Sequence, residues 1–221
     1  MLLDYFFDYD PVPKHRISTN GPVSPEHPAF SGFVFKIQAN MDPRHRDRLA
    51  FIRVCSGRFT RDMTVLHTRS GRKLRLASSH KLFGQERETV DEAFAGDIIG
   101  VIGHSDLGIG DTLTEDPQIV YDEIPRFAPE CFAFLHNVHT SKLKRFEQGM
   151  NQLLQEGVVQ LLTVPNSSVR SPLLAAVGPL QFEVAQYRLE SEYAAESQIE
   201  HAKWESIRWI PQGTDIQSLT S

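Results

Sequence analysis

The chain has 221 residues, 40% of them hydrophobic, which suits one large or two modest domains with real cores. No run approaches the roughly 18 apolar residues needed to span a bilayer. The N-terminal MLLDYFFDYDP is acidic and lacks the basic head of a secretory signal. The net charge is −5, yet Lys36 to Lys81 holds twelve Lys and Arg against Asp42, Asp47 and Asp62, so that segment is +9 and the remainder −14. Such a separation suggests a polyanion-binding face; an ordinary solvated arginine surface is the plain alternative.

Residues 1–10 read as a short amphipathic piece, with Leu2, Leu3, Phe6 and Phe7 apolar. Prolines at 11, 13, 22, 25 and 28 then forbid a helix and predict an extended linker. Residues 1–29 are therefore set apart, as a remnant of a preceding domain with its linker or as an ordinary tail.

Residues 30–122 read as all-β. Phe33, Phe35, Ile37 and Ala39 alternate with Val34, Lys36, Gln38 and Asn40, predicting a strand with the first set inward. Further strands are expected at Leu49–Val54, Met63–Thr68, Lys73–Ala77, Thr89–Phe94 and Ile98–Ile102. Glycines or polar turn residues separate them, so the domain should be a closed barrel or sandwich.

Residues 123–221 change grammar. Cys131–Val138 reads as a strand. Leu143, Phe146, Met150, Leu153 and Leu154 then fall at helical spacing, with Thr140 or Ser141 as cap and Gly157 as stop. Val158–Val164 and Leu173–Val177 read as strands joined through a turn at Pro165–Ser168. Pro179 opens a helix to about Tyr193, and Gln198–Trp209 holds one or two final strands. The order β-α-β-β-α-β is that of a ferredoxin-like domain.

Little catalytic chemistry is written here. GTP binding through a phosphate loop needs GxxxxGK[ST], and the chain has neither a Gly-Lys dipeptide nor NKxD. Asp97 and Gly100 match DxxG by spacing only. Cys55 and Cys131 have no CxxC partner, so a zinc site is not expected and a buried thiol in a reducing compartment is. His136 and His139 form HxxH on a strand end, where they do not converge as helical i, i+4 ligands do. His104-Ser105-Asp106 are neighbours in sequence, and triads assemble in space. Glu190, Glu192, Glu196 and Glu200 read as a solvated face.

The binding signal is stronger. MDPRHRDR at Met41–Arg48 reads as a loop between two strands, projecting Arg44, His45, Arg46 and Arg48. Guanidinium forks suit phosphate oxygens and stack on bases. Arg69, Arg72, Lys73 and Arg75 form a second basic run, and Lys36 and Arg58 complete the candidate RNA-binding set. Some of these arginines are instead expected to pair with Asp42, Asp47 or Asp62.

FVFKIQANMDPRHRDRLAFIRVCSG, AFAGDIIGVIGHSDLGIGDTL, IPRFAPECF and AVGPLQFEVAQYRLESEY, in this order, resemble the release factor 3 family of translational GTPases. The resemblance implies a translation-factor β-barrel over 30–122 as second domain and a ferredoxin-like third domain over 123–221, without the GTPase domain. It implies a role in translation termination: ribosome docking by a factor that recycles codon-reading release factors in a GTP-dependent cycle. GTP or GDP with Mg would belong to the missing domain, and no cofactor is expected in this chain. Partners implied are small-subunit ribosomal RNA, codon-reading release factors and the chain's own GTPase domain, for a cytoplasmic monomer without membrane contact. Other translational GTPases and a stand-alone protein-interaction barrel are the alternatives. In such barrels Arg53-Val54-Cys55-Ser56-Gly57 is followed by a glycine turn. Here Asp62 stands in that place, and Asp tolerates left-handed backbone better than most residues.

Overall fold

The proline-rich segment folds back rather than trailing as a linker. In the computed structural model, which describes residues 12–39, 48–77, 79–83, 86–104, 106–122, 124, 127–163 and 172–210, β1 (Arg16–Ser18) and β2 (Gly21–Val23) form an antiparallel hairpin. Its turn is clasped to residues 118–121: the Thr19 N–H donates to the Val120 carbonyl at 2.9 Å and Asn20 Nδ2 to the Gln118 carbonyl at 2.7 Å. The Arg16 guanidinium lies 3.7 Å from the Phe33 ring centre. Of the prolines, only Pro22 lies in this short hairpin, and Pro25 and Pro28 follow β2 outside any strand.

The barrel grows from one long hairpin, β3 (Ser31–Ala39) with β4 (Arg48–Ser56). The pairing is not regular: Val34 faces Ile52 and Lys36 faces Phe51, so Phe35 is the extra residue of a bulge. The bulge swaps the faces. Phe30, Val34 and Ile37 enter the main core with Ala50, Ile52 and Val54, whereas Phe33 and half-buried Phe35 join a second cluster with Val23, Cys55 and Tyr121. Of the expected inward set, Ile37 does enter the main core, whereas Phe33 and Phe35 face the second cluster and Val34 takes the inward place instead. Simple alternation cannot count an inserted residue.

The remaining strands are β5 (Arg58–Thr60), β6 (Thr64–His67), β7 (Arg72–Arg75), β8 (Ser79–Phe83), β9 (Glu86–Thr89), β10 (Glu92–Phe94), β11 (Ile98–Ile102) and β12 (Thr112–Thr114). Eight strands form one curled sheet in the order β7-β6-β12-β3-β4-β11-β8-β9, and β5 pairs with β10. The expected strand at Thr89–Phe94 is split between β9 and β10. All these pairings are antiparallel.

Two features of the RVCSG run are structural. Buried Ser56 Oγ lies 3.0 Å from the Ala29 carbonyl it donates to and 2.5 Å from Ser31 Oγ, which in turn sits 2.6 Å from the Tyr121 hydroxyl. Gly57 has φ +65°, and a Cβ there would lie 2.6 Å from the backbone of Ala29 and Phe30. The chain crosses itself there closely enough to require glycine. Asp62 adopts φ +66°, the left-handed conformation expected of the residue replacing glycine.

The chain divides into two compact units, 1–125 and 126–221. The second contains β13 (Cys131–Asn137), a 3-10 turn at Thr140–Lys142, α1 (Leu143–Gln155), β14 (Gln160–Leu162), β15 (Leu173–Ala176), α2 (Leu180–Tyr193) and β16 (Ser197–His201). Its antiparallel sheet runs β14-β15-β13-β16, the ferredoxin-like arrangement. Ala133, Leu135 and Leu174 meet Phe146, Leu153 and Leu189 of the helices. At Gly149 an added Cβ would lie 2.6 Å from Leu189 and 2.9 Å from the Tyr193 ring, so α1 and α2 touch through a glycine.

The helix ends differ from expectation at one terminus. No side chain caps α1; the 3-10 turn leads into it instead of a Thr140 or Ser141 cap. Its C-terminus closes at Gly157 as expected, with the Val158 N–H on the Leu153 carbonyl and the Gly157 N–H on that of Leu154. α2 also ends on a left-handed residue, Ala194 at φ +53°, with the Ala194 N–H on the Glu190 carbonyl and the Ala195 N–H on that of Leu189. The last stretch, expected to hold one or two strands, has β16 at 197–201, and residues 202–210 are irregular. The expected turn at Pro165–Ser168 lies outside the described residues.

Candidate nucleic-acid interface

Strand direction decides which loops share an end. β3 and β6 run the same way on either side of β12, and β11 runs antiparallel to β4. The β3–β4 loop, the β6–β7 turn and the β11–β12 loop therefore emerge together. The predicted arginine loop connects β3 to β4 in sequence, and Arg44, His45 and Arg46 lie outside the described residues.

Arginines from three segments converge on the β11–β12 loop. Arg48, the first residue of β4, donates to the Leu107 carbonyl at 2.5 Å. Arg69, in the β6–β7 turn, donates Nε to Asp111 Oδ1 at 2.6 Å, Nη2 to Asp111 Oδ2 at 2.9 Å, and Nη2 to the Asp106 carbonyl at 2.8 Å. Arg72, on β7, pairs with the Asp106 carboxylate. His104 Nε2 lies 3.1 Å from the Arg75 carbonyl.

Asp111 is the centre of this arrangement, its side chain only 4% exposed. It accepts the Gly108 N–H at 2.6 Å besides the Arg69 pair. Burial alone would push its carboxyl up. The hydrogen bonds from Arg69 and Gly108, with the charges of His67 and Arg69, outweigh burial and hold it below its usual range. His67 Nε2 is within ion-pair distance, 2.9 Å, but without hydrogen-bond geometry, and Ser70 Oγ sits 2.9 Å from His67 Nδ1. Ser70, His67 and Asp111 thus touch in triad order. With His67 buried and Asp111 committed to Arg69 and Gly108, the cluster ties two loops together.

The other candidates are spread out. Lys36 is exposed just after the bulge, its Nζ 5.2 Å from the Phe51 ring centre. Lys73 is exposed on β7, an edge strand. Arg75, at the far end of β7, pairs with Asp62 at 3.2 Å. Arg58 follows β4 at the opposite end of the barrel and pairs with Glu92. Of the acids expected to neutralise arginines, Asp62 does so, and Asp42 and Asp47 lie outside the described residues. Glu92, Asp106 and Asp111, distant in sequence, supply the partners that sequence reading missed. Asp111 stands inside the GIGDTL motif some 30 residues beyond the basic zone, and no local signal in the sequence points to it. The exposed pairs Arg58–Glu92, Arg72–Asp106 and Arg75–Asp62 are worth about 0–1 kcal/mol each, so phosphate can compete for those guanidinium groups.

The other flagged groups resolve simply. His136 pairs with Glu200 at 2.7 Å and His139 with Glu196 at 3.0 Å. No group of three or more His, Cys, Asp or Glu suited to a metal occurs among the described residues. No helix among them is long and apolar enough to cross a membrane. Cys55 is buried, which pushes its thiol up.

Residues 29–116 match the family model of elongation factor G domain 2, and residues 121–220 that of the C-terminal domain of the class II release factor RF3. Over 216 residues, 98% of the chain, it is 51% identical to peptide chain release factor 3 of Synechococcus elongatus. The chain belongs to the release factor 3 family. The release factor 3 of Gloeobacter violaceus is 55% identical over 210 residues, 95% of the chain. The chain spans 39% and 40% of the lengths of these two release factor 3 relatives. A crystallised protein of Thermus thermophilus shares the fold with a TM-score of 0.67 at 22% identity, over 90% of this chain and 28% of that one.

Proposed function

We propose that this chain is the ribosome-docking portion of a translation-termination factor, a cytoplasmic protein whose GTP and Mg are held by a domain outside this sequence. The observation that carries the reading is the identity of about half its residues to release factor 3 along almost its whole length. The barrel end built by the β3–β4 loop, the β6–β7 turn and the β11–β12 loop is the small-subunit RNA contact in this reading. Arg44, His45, Arg46, Arg48 and Arg72, with Lys36, Lys73 and Arg75, are the phosphate-contacting residues in this reading. Arg58, at the opposite end, contributes through long-range charge only. The division of labour runs from a barrel at 30–122 that docks to a ferredoxin-like domain at 123–221 that transmits motion toward the GTPase domain and the codon-reading release factors. The chain acts as a monomer and performs no chemistry by itself.

Sedimentation with purified small ribosomal subunits across a salt series tests this. Binding should weaken steeply with salt, and changing Arg44, Arg46 and Arg48 together to Ala should lower both affinity and salt slope. Unchanged binding by the folded triple variant overturns the assignment. Calorimetry with GTP should give no saturable heat, because GxxxxGK[ST] is absent.

A further inference from the structure

The β6–β7 turn presents a serine to solvent. His67 and Arg72 pair across the hairpin, and Thr68, Arg69, Ser70 and Gly71 close it. Ser70 is exposed, yet its hydroxyl is held in one direction: Oγ lies 2.9 Å from His67 Nδ1, and the Arg72 N–H donates to it at 3.4 Å. The Asp111 carboxylate, 2.9 Å from His67 Nε2, favours the tautomer with the proton there, which leaves Nδ1 to accept the Ser70 proton. The flanking Arg69 and Arg72 side chains are 58% and 62% exposed, so both reach the solvent beside that hydroxyl.

A hydroxyl so placed suits one modification above others. A phosphoserine carries a charge of about −2 at pH 7 and three acceptor oxygens, and guanidinium groups on both sides are the partners such a group takes. Arg72 is the nearer to capture, because its present pair with Asp106 is exposed and weak. Among the described residues of this barrel end, Arg48, Arg69 and Arg72 stand against Asp106 and Asp111. Adding about two negative charges turns that small positive balance negative. A negative end repels a polyanion.

We infer that Ser70 is a phosphorylation site, and that its phosphoryl group, held by Arg69 and Arg72, releases the barrel end from RNA. The switch rests on the ribosome-docking reading. In the transfer, Ser70 Oγ bonds to the γ-phosphorus of ATP, the bond from that phosphorus to the β–γ bridging oxygen breaks, ADP leaves, and the hydroxyl proton passes to the base of a protein serine kinase.

Two measurements test this. The purified chain is incubated with ATP, Mg and an arginine-directed serine kinase. Phosphopeptide mapping should place the label on Ser70, and Ser70→Ala should take up at least tenfold less. A label on other residues only, or none, overturns the acceptor assignment. The chain carrying phosphoserine at position 70 is then sedimented with small ribosomal subunits across a salt series. It should bind at least tenfold more weakly than the unmodified chain, with a shallower salt slope and an unchanged thermal midpoint, and a serine phosphatase should restore binding. Ser70→Ala should sediment as the unmodified chain does. Equal binding of the phosphorylated and unmodified chains overturns the switch and leaves the docking reading standing, and so does a loss of binding that comes with a lowered thermal midpoint. Failure of the unmodified chain to sediment overturns the docking reading and the switch together, while the label still decides whether Ser70 is the acceptor.

Discussion

Arg69 grips Asp111 with two parallel hydrogen bonds, Nε to Oδ1 at 2.6 Å and Nη2 to Oδ2 at 2.9 Å, across 42 residues of sequence. The carboxylate is buried and the guanidinium mostly exposed, so the pair works as a latch closed from outside. Paired guanidinium bonds of this kind fix orientation as well as adding energy.

Replacing that carboxylate should be costly. Asp111→Ala takes away the acceptor of the Gly108 N–H and of the Arg69 guanidinium, so a loss of about 1–3 kcal/mol is expected in urea unfolding at pH 7. The same latch sets an acid limb. The folded carboxyl titrates below its ordinary value of 3.8, so between the two values the unfolded state holds more protons. Its contribution is complete above about pH 4 and is lost as pH falls through the folded value. Urea midpoints between pH 6 and pH 2 should show less of this fall in Asp111→Asn; an identical acid limb in the variant would contradict the latch.

The bulge at Phe35 makes a paired prediction. Phe33 is buried, so Phe33→Ala should cost about 3–5 kcal/mol. Phe35 is half-buried, packed beside Phe51 at 6.2 Å between ring centres, and Phe35→Ala should cost clearly less. Chemical denaturation of the two variants side by side decides, and equal losses would mean that the alternation runs unbroken through β3.

Ala194 closes α2 in a left-handed conformation that costs an L-residue about 1–2 kcal/mol. Glycine removes that cost and gives back part of it through the greater freedom of the unfolded chain. Ala194→Gly should raise stability by about 0.5–1 kcal/mol, read as an upward shift of the thermal midpoint. Asp62→Gly should gain less, because Asp tolerates the conformation and its pair with Arg75 is lost.

Tyr121 gives an alkaline signature. Burial, with the Cys55 thiol beside it, pushes its hydroxyl up to about 12 despite the hydrogen bond to Ser31. Between its ordinary value of 10 and 12 the folded state holds the extra proton, so its contribution is lost as pH rises through that window. Absorbance titration in the near ultraviolet should show one of the five tyrosines lagging the rest, and Tyr121→Phe should remove the lagging step.

Local patterns were enough for much of this protein. Period-two and helical spacing located most barrel strands and the β-α-β-β-α-β order, because side-chain direction repeats within each element. The missing phosphate loop and the left-handed Asp62 were equally legible, each being a property of a few adjacent residues. The bulge, the hairpin in the proline-rich segment and the partners of the arginines were decided only by tertiary structure. A bulge is defined by its partner strand, since two residues of β3 oppose one of β4. The hairpin is held in place because carbonyls of residues 118–120 accept the hydrogen bonds its turn has to give. Arg58, Arg69 and Arg72 meet carboxylates 34 to 42 residues away, a pairing that charge composition does not encode. The sequence by itself thus determined which elements form, their order and their family. Tertiary structure alone decided which faces they bury and which charges meet, because both depend on residues brought close by folding.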